Sequence, residues 1–187
     1  RYNVNEKKLR IIYSEPSNQI LQKYKTKENL NDEILKKFNL LNKKFIFYPA
    51  QYWAHKNHIY ILEALKLMHD KNSDLEITAV FCGFDKNNLD YLKSISKKLG
   101  IQNNVIFLNF LNEEELFIFY KNSFAIVVPT YFGPTNHLPI EGFYFEKPVF
   151  YSDIWSDTEQ VKGAVIKIDL NNPNDLADKL SSLYTNK

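Results

Sequence analysis

From residue 44 onward, the chain alternates between short apolar runs and longer segments that carry apolar residues at helical spacing. Near-continuous apolar runs of this length are typical of strands buried on both faces, as in parallel sheets. The predicted strands are Phe45–Tyr48, Leu75–Cys82, Val105–Leu108, Phe124–Val128, Pro148–Tyr151 and Ala164–Ile168. The alternation predicts an α/β fold, with a doubly wound, mostly parallel six-stranded sheet and helices on both faces.

The segments between the strands carry helix signals. Asn112, followed by three glutamates, is typical of a helix start, and Gly100 is typical of a helix end. Pro173 favours the first turn of the last helix. The helix after the fourth strand is predicted to begin near Leu138 and to carry Glu141 in its first turn.

Residues 1–43 do not follow this alternation. They contain a candidate strand at residues 10–13 and a candidate short helix at residues 29–39. We interpret residues 1–43 as a linker that leads into the domain and packs on it, and residues 44–187 as the α/β domain. Because the chain starts at Arg1 without a methionine, we expect it to be a fragment of a longer protein.

Composition excludes several classes of protein. The chain has 187 residues, of which 44% are hydrophobic, which is enough for one domain with a real core. A net charge of +2, from 24 basic and 22 acidic residues, argues against a nucleic-acid partner. The single cysteine, Cys82, excludes an internal disulfide and is expected to be buried. No apolar run is long enough for a membrane span, so a cytoplasmic location is the default expectation.

Four loops follow the first four predicted strands. Ligands of open α/β sheets bind at the carboxyl ends of the strands, so we expect these loops to form one cleft. The loops are residues 49–57, 83–85, 109–111 and 131–141. The last of them passes through a turn at Gly133 and opens a helix, whose free N–H groups and dipole favour an anion such as phosphate. Glu141, one turn in, suits a hydroxylated group such as ribose, or else simply complements the helix dipole.

Other polar and aromatic residues of these loops have two interpretations each. Lys56 is placed to meet a diphosphate, or is an exposed surface lysine. His55 and His58 have no third ligand type nearby, so no metal site is expected. His137 is interpreted as a helix cap or a cleft residue. The aromatic residues either line the mouth of the cleft or belong to the core or to a partner surface, and they are Tyr52, Trp53, Tyr131 and Phe132.

Three segments together resemble one enzyme family. They are residues 48–58, residues 105–116, and residues 132–141 with Lys147–Val149. They are similar to motifs of the retaining glycosyltransferases called family 4 or group 1, which have the two-domain GT-B architecture. The resemblance covers roughly residues 9–185 and implies the C-terminal, donor-binding half, a Rossmann-like half of a GT-B fold. The implied enzyme is a glycosyltransferase of the hexosyltransferase type.

The resemblance implies roles for individual residues. Lys56 would contact the donor diphosphate and Glu141 the ribose hydroxyls, and these two are the implied catalytic residues. The backbone at Phe110 and Leu111 would meet the nucleobase, and Gly83 would keep a loop close to the donor. The complete implied donor-binding set is Gln51, Lys56, Gly83, Phe110, Leu111, Gly133, Thr135, Asn136, His137, Leu138 and Glu141.

The resemblance also implies partners. The substrate would be a nucleoside-diphosphate sugar, with no cofactor and no metal. A glycan or lipid-linked acceptor would bind through an N-terminal domain that this chain lacks, so the fragment alone is expected to be inactive. Peripheral membrane association of the full-length protein is compatible with such an acceptor.

Two positions depart from the family's usual pattern. Gly133 stands eight positions before Glu141, where the family commonly has a second glutamate, and Gln51 stands where the family has an arginine. Each change removes one side-chain contact with the donor. They motivate an alternative function, a non-catalytic module that binds sugar nucleotides. A sugar-nucleotide epimerase domain is a further alternative, although the motifs favour a transferase.

Overall fold

The computed structural model describes residues 5–10, 15, 33–133 and 136–186. The strands are β1 Phe45–Tyr48, β2 Thr78–Cys82, β3 Val105–Leu108, β4 Ala125–Val128, β5 Val149–Ser152 and β6 Ile166–Ile168. The α-helices are α1 Glu33–Lys37, α2 His58–Lys71, α3 Leu89–Lys98, α4 Glu113–Asn122, α5 His137–Tyr144 and α6 Pro173–Thr185. Short 3₁₀ turns span Glu6–Lys8, Ala54–Lys56 and Gln102–Asn104.

The six strands form one sheet in the order β3-β2-β1-β4-β5-β6. Every neighbouring pair is parallel. The strand order therefore reverses between β1 and β4, which is where open α/β sheets bind their ligands. The prediction of a doubly wound, parallel six-stranded sheet is confirmed.

Both faces of the central strands are covered by helices. On one face of β1, the rings of Phe45 and Phe47 lie 5.9 and 5.4 Å from that of Phe119 in α4. On the other face, the ring of Tyr48 lies 4.9 Å from that of His58, the first residue of α2. All four residues of β1 are buried, as the apolar run predicted.

Local capping signals place most helix starts correctly. The Asn112 side chain accepts a hydrogen bond from the Glu115 N–H, and the Glu115 carboxylate accepts one from the Asn112 N–H, each at 2.9 Å. This reciprocal arrangement satisfies two N–H groups that would otherwise lack partners at the start of α4. The Asn172 side chain caps α6 with a single hydrogen bond from the Asn174 N–H, and Pro173 occupies the first helical position.

The start of α5 agrees with the prediction, but the place of Glu141 in this helix does not. Helix α5 begins at His137, next to Leu138, where the Asn136 side chain accepts a hydrogen bond of 3.2 Å from the Leu138 N–H and acts as the cap. Glu141 consequently lies in the second turn of α5, and the prediction that it lies in the first turn is wrong.

Parts of the first 43 residues contribute to the core. Leu35 of α1 and Leu40 are both buried against it. Residues 11–13 of the candidate strand lie outside the described residues. Cys82 is a buried free thiol, as predicted. In the part of the chain that the structure describes, no helix has the length and apolar character needed to cross a membrane.

Candidate functional site

Two adjoining cavities lie at the carboxyl ends of the central strands. The smaller has a volume of about 200 Å³ and the larger about 350 Å³, and both are lined by Pro49 and Gln51. The smaller is also lined by Cys82, Gly83, Phe84, Phe110, Leu111 and Leu116. The larger is also lined by Ala50, Trp53, His55, Lys56, Asn136, His137 and Leu138. The four loops predicted to converge therefore do form one continuous cleft.

The loops after β1 and β2 lie in direct backbone contact. The Tyr52 N–H donates a hydrogen bond of 3.1 Å to the Phe84 carbonyl, and the buried Tyr52 hydroxyl donates one of 2.7 Å to the Leu108 carbonyl. A Cβ atom on Gly83 would lie 2.7 Å from the Gln51 Cα. Only glycine permits this approach, so Gly83 fixes the wall between the two loops.

The loops after β1 and β4 are joined across the point where the strand order reverses. The Tyr131 N–H donates a hydrogen bond of 3.0 Å to the His55 carbonyl. The hydroxyl of Thr130, which is fully buried, lies 2.7 Å from the Phe132 carbonyl and 3.3 Å from the same His55 carbonyl. These bonds hold the Lys56 turn beside the segment that leads into α5.

Lys56 supplies positive charge to the larger cavity. Its side chain is half-buried, and burial lowers its pKa below the ordinary value. None of the ion pairs among the described residues involves it. An unpaired, partly desolvated ammonium group in a cavity favours a bound anion.

The start of α5 forms the opposite wall of the larger cavity. The Leu138 N–H is occupied by the Asn136 side chain, and Pro139 has no N–H. No hydrogen bond from the His137 N–H to a described residue is found, so this N–H and the dipole of the helix face the cavity. The amide nitrogen of Asn136 is buried without a hydrogen-bond partner among the described residues, so it is a further donor at this wall.

Glu141 lies one helical turn beyond this wall. It is not among the residues that line the two cavities, and the Tyr120 hydroxyl donates a hydrogen bond to its carboxylate. Burial raises the pKa of Glu141, while the Tyr120 hydrogen bond and the nearby His137 oppose that rise in part. A partly buried carboxylate with a shifted pKa next to a cleft is a candidate functional group.

Two further residues of the predicted donor-binding set, Gly133 and Thr135, belong to the segment that leads into α5. Thr135 lies outside the described residues. Gly133 has a φ of +121°, and no described atom lies within 4 Å of the position that its Cβ would occupy. A longer side chain at residue 133 would have room, but the backbone there is a conformation that side chains other than glycine rarely adopt.

The smaller cavity is mostly apolar and has an aromatic rim. The rings of Phe84 and Phe110 stack at 5.3 Å with 17° between their planes, and both side chains are more than half exposed. Leu111, which lines the same cavity, is buried. This rim offers a flat surface next to backbone groups, which suits a planar heterocycle.

The histidines and aromatic residues of the β1 loop separate into two groups. His58 and Tyr52 belong to the core, with 1% and 0% of their surfaces exposed. Trp53 is exposed and lines the larger cavity, whereas Tyr131 and Phe132 are exposed but are not among the residues that line either cavity. Burial lowers the pKa of the His58 ring to about 3, so His58 is neutral and structural.

Sequence reasoning did not identify Tyr120 or Thr130. Tyr120 lies in α4, 21 residues before its partner Glu141, and only the packing of α4 against α5 brings them together. Thr130 follows directly after the apolar run of β4, and a polar residue at a strand end is a weak signal that could have marked it.

A profile of the family described as Glycosyl transferases group 1 matches residues 30–187. The chain belongs to that family. A search among curated protein sequences found no match.

Solved structures of other glycosyltransferases, one of them also a group 1 protein, share the fold of this chain. A glycosyltransferase from Rickettsia africae is 19% identical, with a TM-score of 0.79 over 97% of this chain and 48% of its own. HepE from Anabaena in complex with UDP is 15% identical, with a TM-score of 0.72 over 83% of this chain and 43% of its own.

A third structure is a separate domain. The C-terminal domain of the group 1 protein LpcC from Francisella tularensis is 18% identical, with a TM-score of 0.66 over 91% of this chain and 85% of its own. The chain thus spans about half the length of the first two structures and most of the third. Its fold is the Rossmann-like half of a GT-B glycosyltransferase, as expected.

Proposed function

We propose that this chain is the donor-binding domain of a retaining, family 4 glycosyltransferase and that residues 44–187 bind a nucleoside-diphosphate sugar. The observation that carries the proposal is the unpaired ammonium of Lys56, which lines the same cavity as the start of α5. A cation and a helix N-terminus that face one cavity are complementary to a diphosphate.

The shape of the cleft supports one orientation of the donor. The nucleobase occupies the smaller, apolar cavity beside Phe110 and Leu111, and the diphosphate occupies the larger cavity between Lys56 and His137. Glu141, one turn further along α5, receives the ribose hydroxyls. HepE, which shares this fold, has been solved with UDP and with UDP-glucose, which supports a nucleotide sugar as the ligand.

The reaction that this arrangement favours needs no metal ion. Breaking the bond between sugar and phosphate places negative charge on the departing nucleoside diphosphate. The ammonium of Lys56 and the dipole of α5 stabilise that charge. The transferred sugar keeps its anomeric configuration, and the acceptor, a glycan or a lipid-linked precursor, binds through a second domain of a cytoplasmic, peripherally membrane-associated protein.

Calorimetric titration tests the donor site directly. We expect UDP, GDP or ADP to bind the 187-residue chain saturably, and Lys56→Ala to weaken that binding at least tenfold. Lys97→Ala is the matched control, because Lys97 is exposed on α3 and should leave the affinity unchanged. If a chain that is folded by circular dichroism binds none of the three nucleotides, the donor site is rejected.

Transfer is tested in the full-length protein with its N-terminal domain. Lys56→Ala and Glu141→Ala should each lower transfer at least tenfold. Nucleotide binding without transfer by the full-length wild type would favour the non-catalytic module instead, to which Gln51 and Gly133 point because each lacks a contact that the family usually makes.

A further inference from the structure

A buried tyrosine on α4, Tyr120, donates a hydrogen bond to the carboxylate of Glu141. We propose that Tyr120 is a positioning residue, which holds one oxygen of the Glu141 carboxylate so that the other is directed to the ribose hydroxyls of the donor. The proposal rests on the proposed function, because it assigns Tyr120 to the ribose end of the same site.

The ring of Tyr120 cannot change its place without disturbing the core. It is fully buried, and it stacks on Phe145 at 5.1 Å with 2° between the ring planes. The edge contact with Phe47 of β1 is also at 5.1 Å, with the planes at 86°. Packing on two sides fixes the direction of the hydroxyl group, since buried aromatic side chains rarely move in a close-packed interior.

The hydrogen bond determines which atoms of Glu141 remain available. The Tyr120 hydroxyl donates to Oε2 of the carboxylate, and no hydrogen bond from the described residues to Oε1 is found. An ionised carboxylate only accepts hydrogen bonds, whereas the two hydroxyls of a ribose are donors as well as acceptors. The hydrogen bond from Tyr120 also favours the ionised form of the Glu141 carboxylate, which is the form that accepts hydrogen bonds from ribose hydroxyls.

The position of Glu141 connects this pair to the cleft. His137, which lines the larger cavity, is four residues before Glu141 and therefore lies on the same face of α5. The spacing of four residues places the two side chains one helical turn apart. A diphosphate at the start of α5 would thus bring the attached ribose towards the free carboxylate oxygen.

The test compares UDP with 2′-deoxy-UDP by calorimetric titration of the 187-residue chain. In the wild type, we expect 2′-deoxy-UDP to bind at least tenfold more weakly than UDP. In Tyr120→Phe, the ratio of the two affinities should fall to within about threefold, while the affinity for 2′-deoxy-UDP stays close to that of the wild type. If the role of Tyr120 were purely structural, Tyr120→Phe would lower the affinities for both nucleotides equally and leave their ratio unchanged.

Tyr60→Phe is the matched control. Tyr60 is also buried, and its hydroxyl donates to a backbone carbonyl, that of Asn172, away from the cleft. This variant should keep the wild-type ratio. A second measurement uses Glu141→Gln alone and together with Tyr120→Phe. If both residues act through one contact, the double variant should discriminate between the nucleotides no less than Glu141→Gln alone.

The outcomes separate the two proposals. If the wild type binds UDP but Tyr120→Phe keeps the tenfold ratio, the role of Tyr120 is rejected and the donor site stands. The role of Tyr120 is also rejected if Tyr120→Phe lowers the affinities for both nucleotides equally, or if the losses of discrimination add up in the double variant. If the folded wild type binds no nucleotide, both proposals fail.

Discussion

The backbone N–H of Tyr131 donates a hydrogen bond of 3.0 Å to the backbone carbonyl of His55. This bond joins the loops that follow β1 and β4. The two strands are adjacent in the sheet, although α2, β2, α3, β3 and α4 lie between them in the chain. It places the Lys56 turn next to the segment that leads into α5. The two walls of the larger cavity are therefore held together by backbone groups and not by the ligand.

The hydroxyl of Thr130 supports this junction, and its removal should loosen it. Thr130→Val keeps the shape of the side chain but removes the hydroxyl donor of the Phe132 carbonyl, whereas the His55 carbonyl keeps the Tyr131 N–H. A lost buried hydrogen bond costs about 1–3 kcal/mol when one partner stays unsatisfied. We expect a decrease of that size in the free energy of unfolding, measured by urea denaturation.

Thr130→Ser is the control for this change, because it keeps the hydroxyl and removes only a methyl group. It should be less destabilising than Thr130→Val, and it should bind nucleotide more tightly than the valine variant. Equal stabilities for the two variants would show that the hydroxyl does not hold the junction.

The close approach at Gly83 predicts a second effect. In Gly83→Ala, the new Cβ would overlap the backbone of Gln51 and Ala50, at 2.7 and 2.8 Å. Backbone cannot move aside as a flexible side chain does, so we expect a loss of about 1–3 kcal/mol in stability and weaker nucleotide binding. Both are measured on the same protein by denaturation and by titration.

Gly163→Ala separates the steric effect from backbone strain. Gly163 has a φ of +77°, with no described atom within 4 Å of its would-be Cβ. Its substitution should cost about 1–2 kcal/mol from the left-handed conformation alone and should leave nucleotide binding intact. Nucleotide binding that is lost equally in both variants would argue against a specific role for the Gly83 wall.

Features that depend only on residues close together in the chain were predictable from the sequence. Four consecutive apolar residues gave the bounds of β1 correctly, and the Asn112 capping box lies within four residues. The start of α5 near Leu138 was also predictable, but the turn that holds Glu141 was not, since the cap of Asn136 decides at which residue the helix begins. Such a cap competes with other turn geometries, and the sequence does not show which of them wins.

Features that depend on tertiary packing were not predictable. His58 follows Lys56 closely in a polar segment, yet its ring is surrounded by those of Tyr48, Tyr52 and Phe81. The contact between Tyr120 and Glu141 arises only once α4 and α5 lie side by side. Neither local spacing nor composition carries that information.

The burial of His58 predicts a loss of stability in acid. Burial lowers the pKa of the folded-state ring to about 3, below its ordinary 6.5. Between pH 3 and pH 6.5 the unfolded chain binds a proton on His58 more readily than the folded chain does. The contribution of neutral His58 to stability is therefore complete above about pH 6.5 and decreases as the pH falls towards 3. Each pH unit of the interval corresponds to about 1.4 kcal/mol, so the decrease is on the order of several kcal/mol.

The measurement is the urea midpoint at a series of pH values from 7 to 4. His58→Phe should flatten the decrease relative to its own value at pH 7, because a phenylalanine in the same aromatic surroundings cannot be protonated. His69→Phe is the control: His69 is exposed at the other end of α2, and this variant should keep the wild-type slope. A wild-type slope in His58→Phe would contradict the prediction.

The partly buried carboxylate of Glu141 should make the protein less stable at neutral pH. Because burial raises its pKa in the folded state, the folded chain binds a proton more readily than the unfolded chain. Stability should therefore decrease as the pH rises from about 4.5 through the folded-state pKa, and the cost is fully present above it.

Glu141→Gln removes this charge while keeping an oxygen that accepts the Tyr120 hydrogen bond. We expect a higher urea midpoint than that of the wild type at pH 7.5, with the difference shrinking as the pH is lowered to 4. Glu63→Gln is the control: Glu63 is exposed, and this variant should change the urea midpoint neither at pH 7.5 nor at pH 4. A variant that is more stable yet discriminates poorly between UDP and 2′-deoxy-UDP would fit a carboxylate kept for binding at a cost in stability. If Glu141→Gln is no more stable than the wild type at pH 7.5, burial does not penalise this carboxylate.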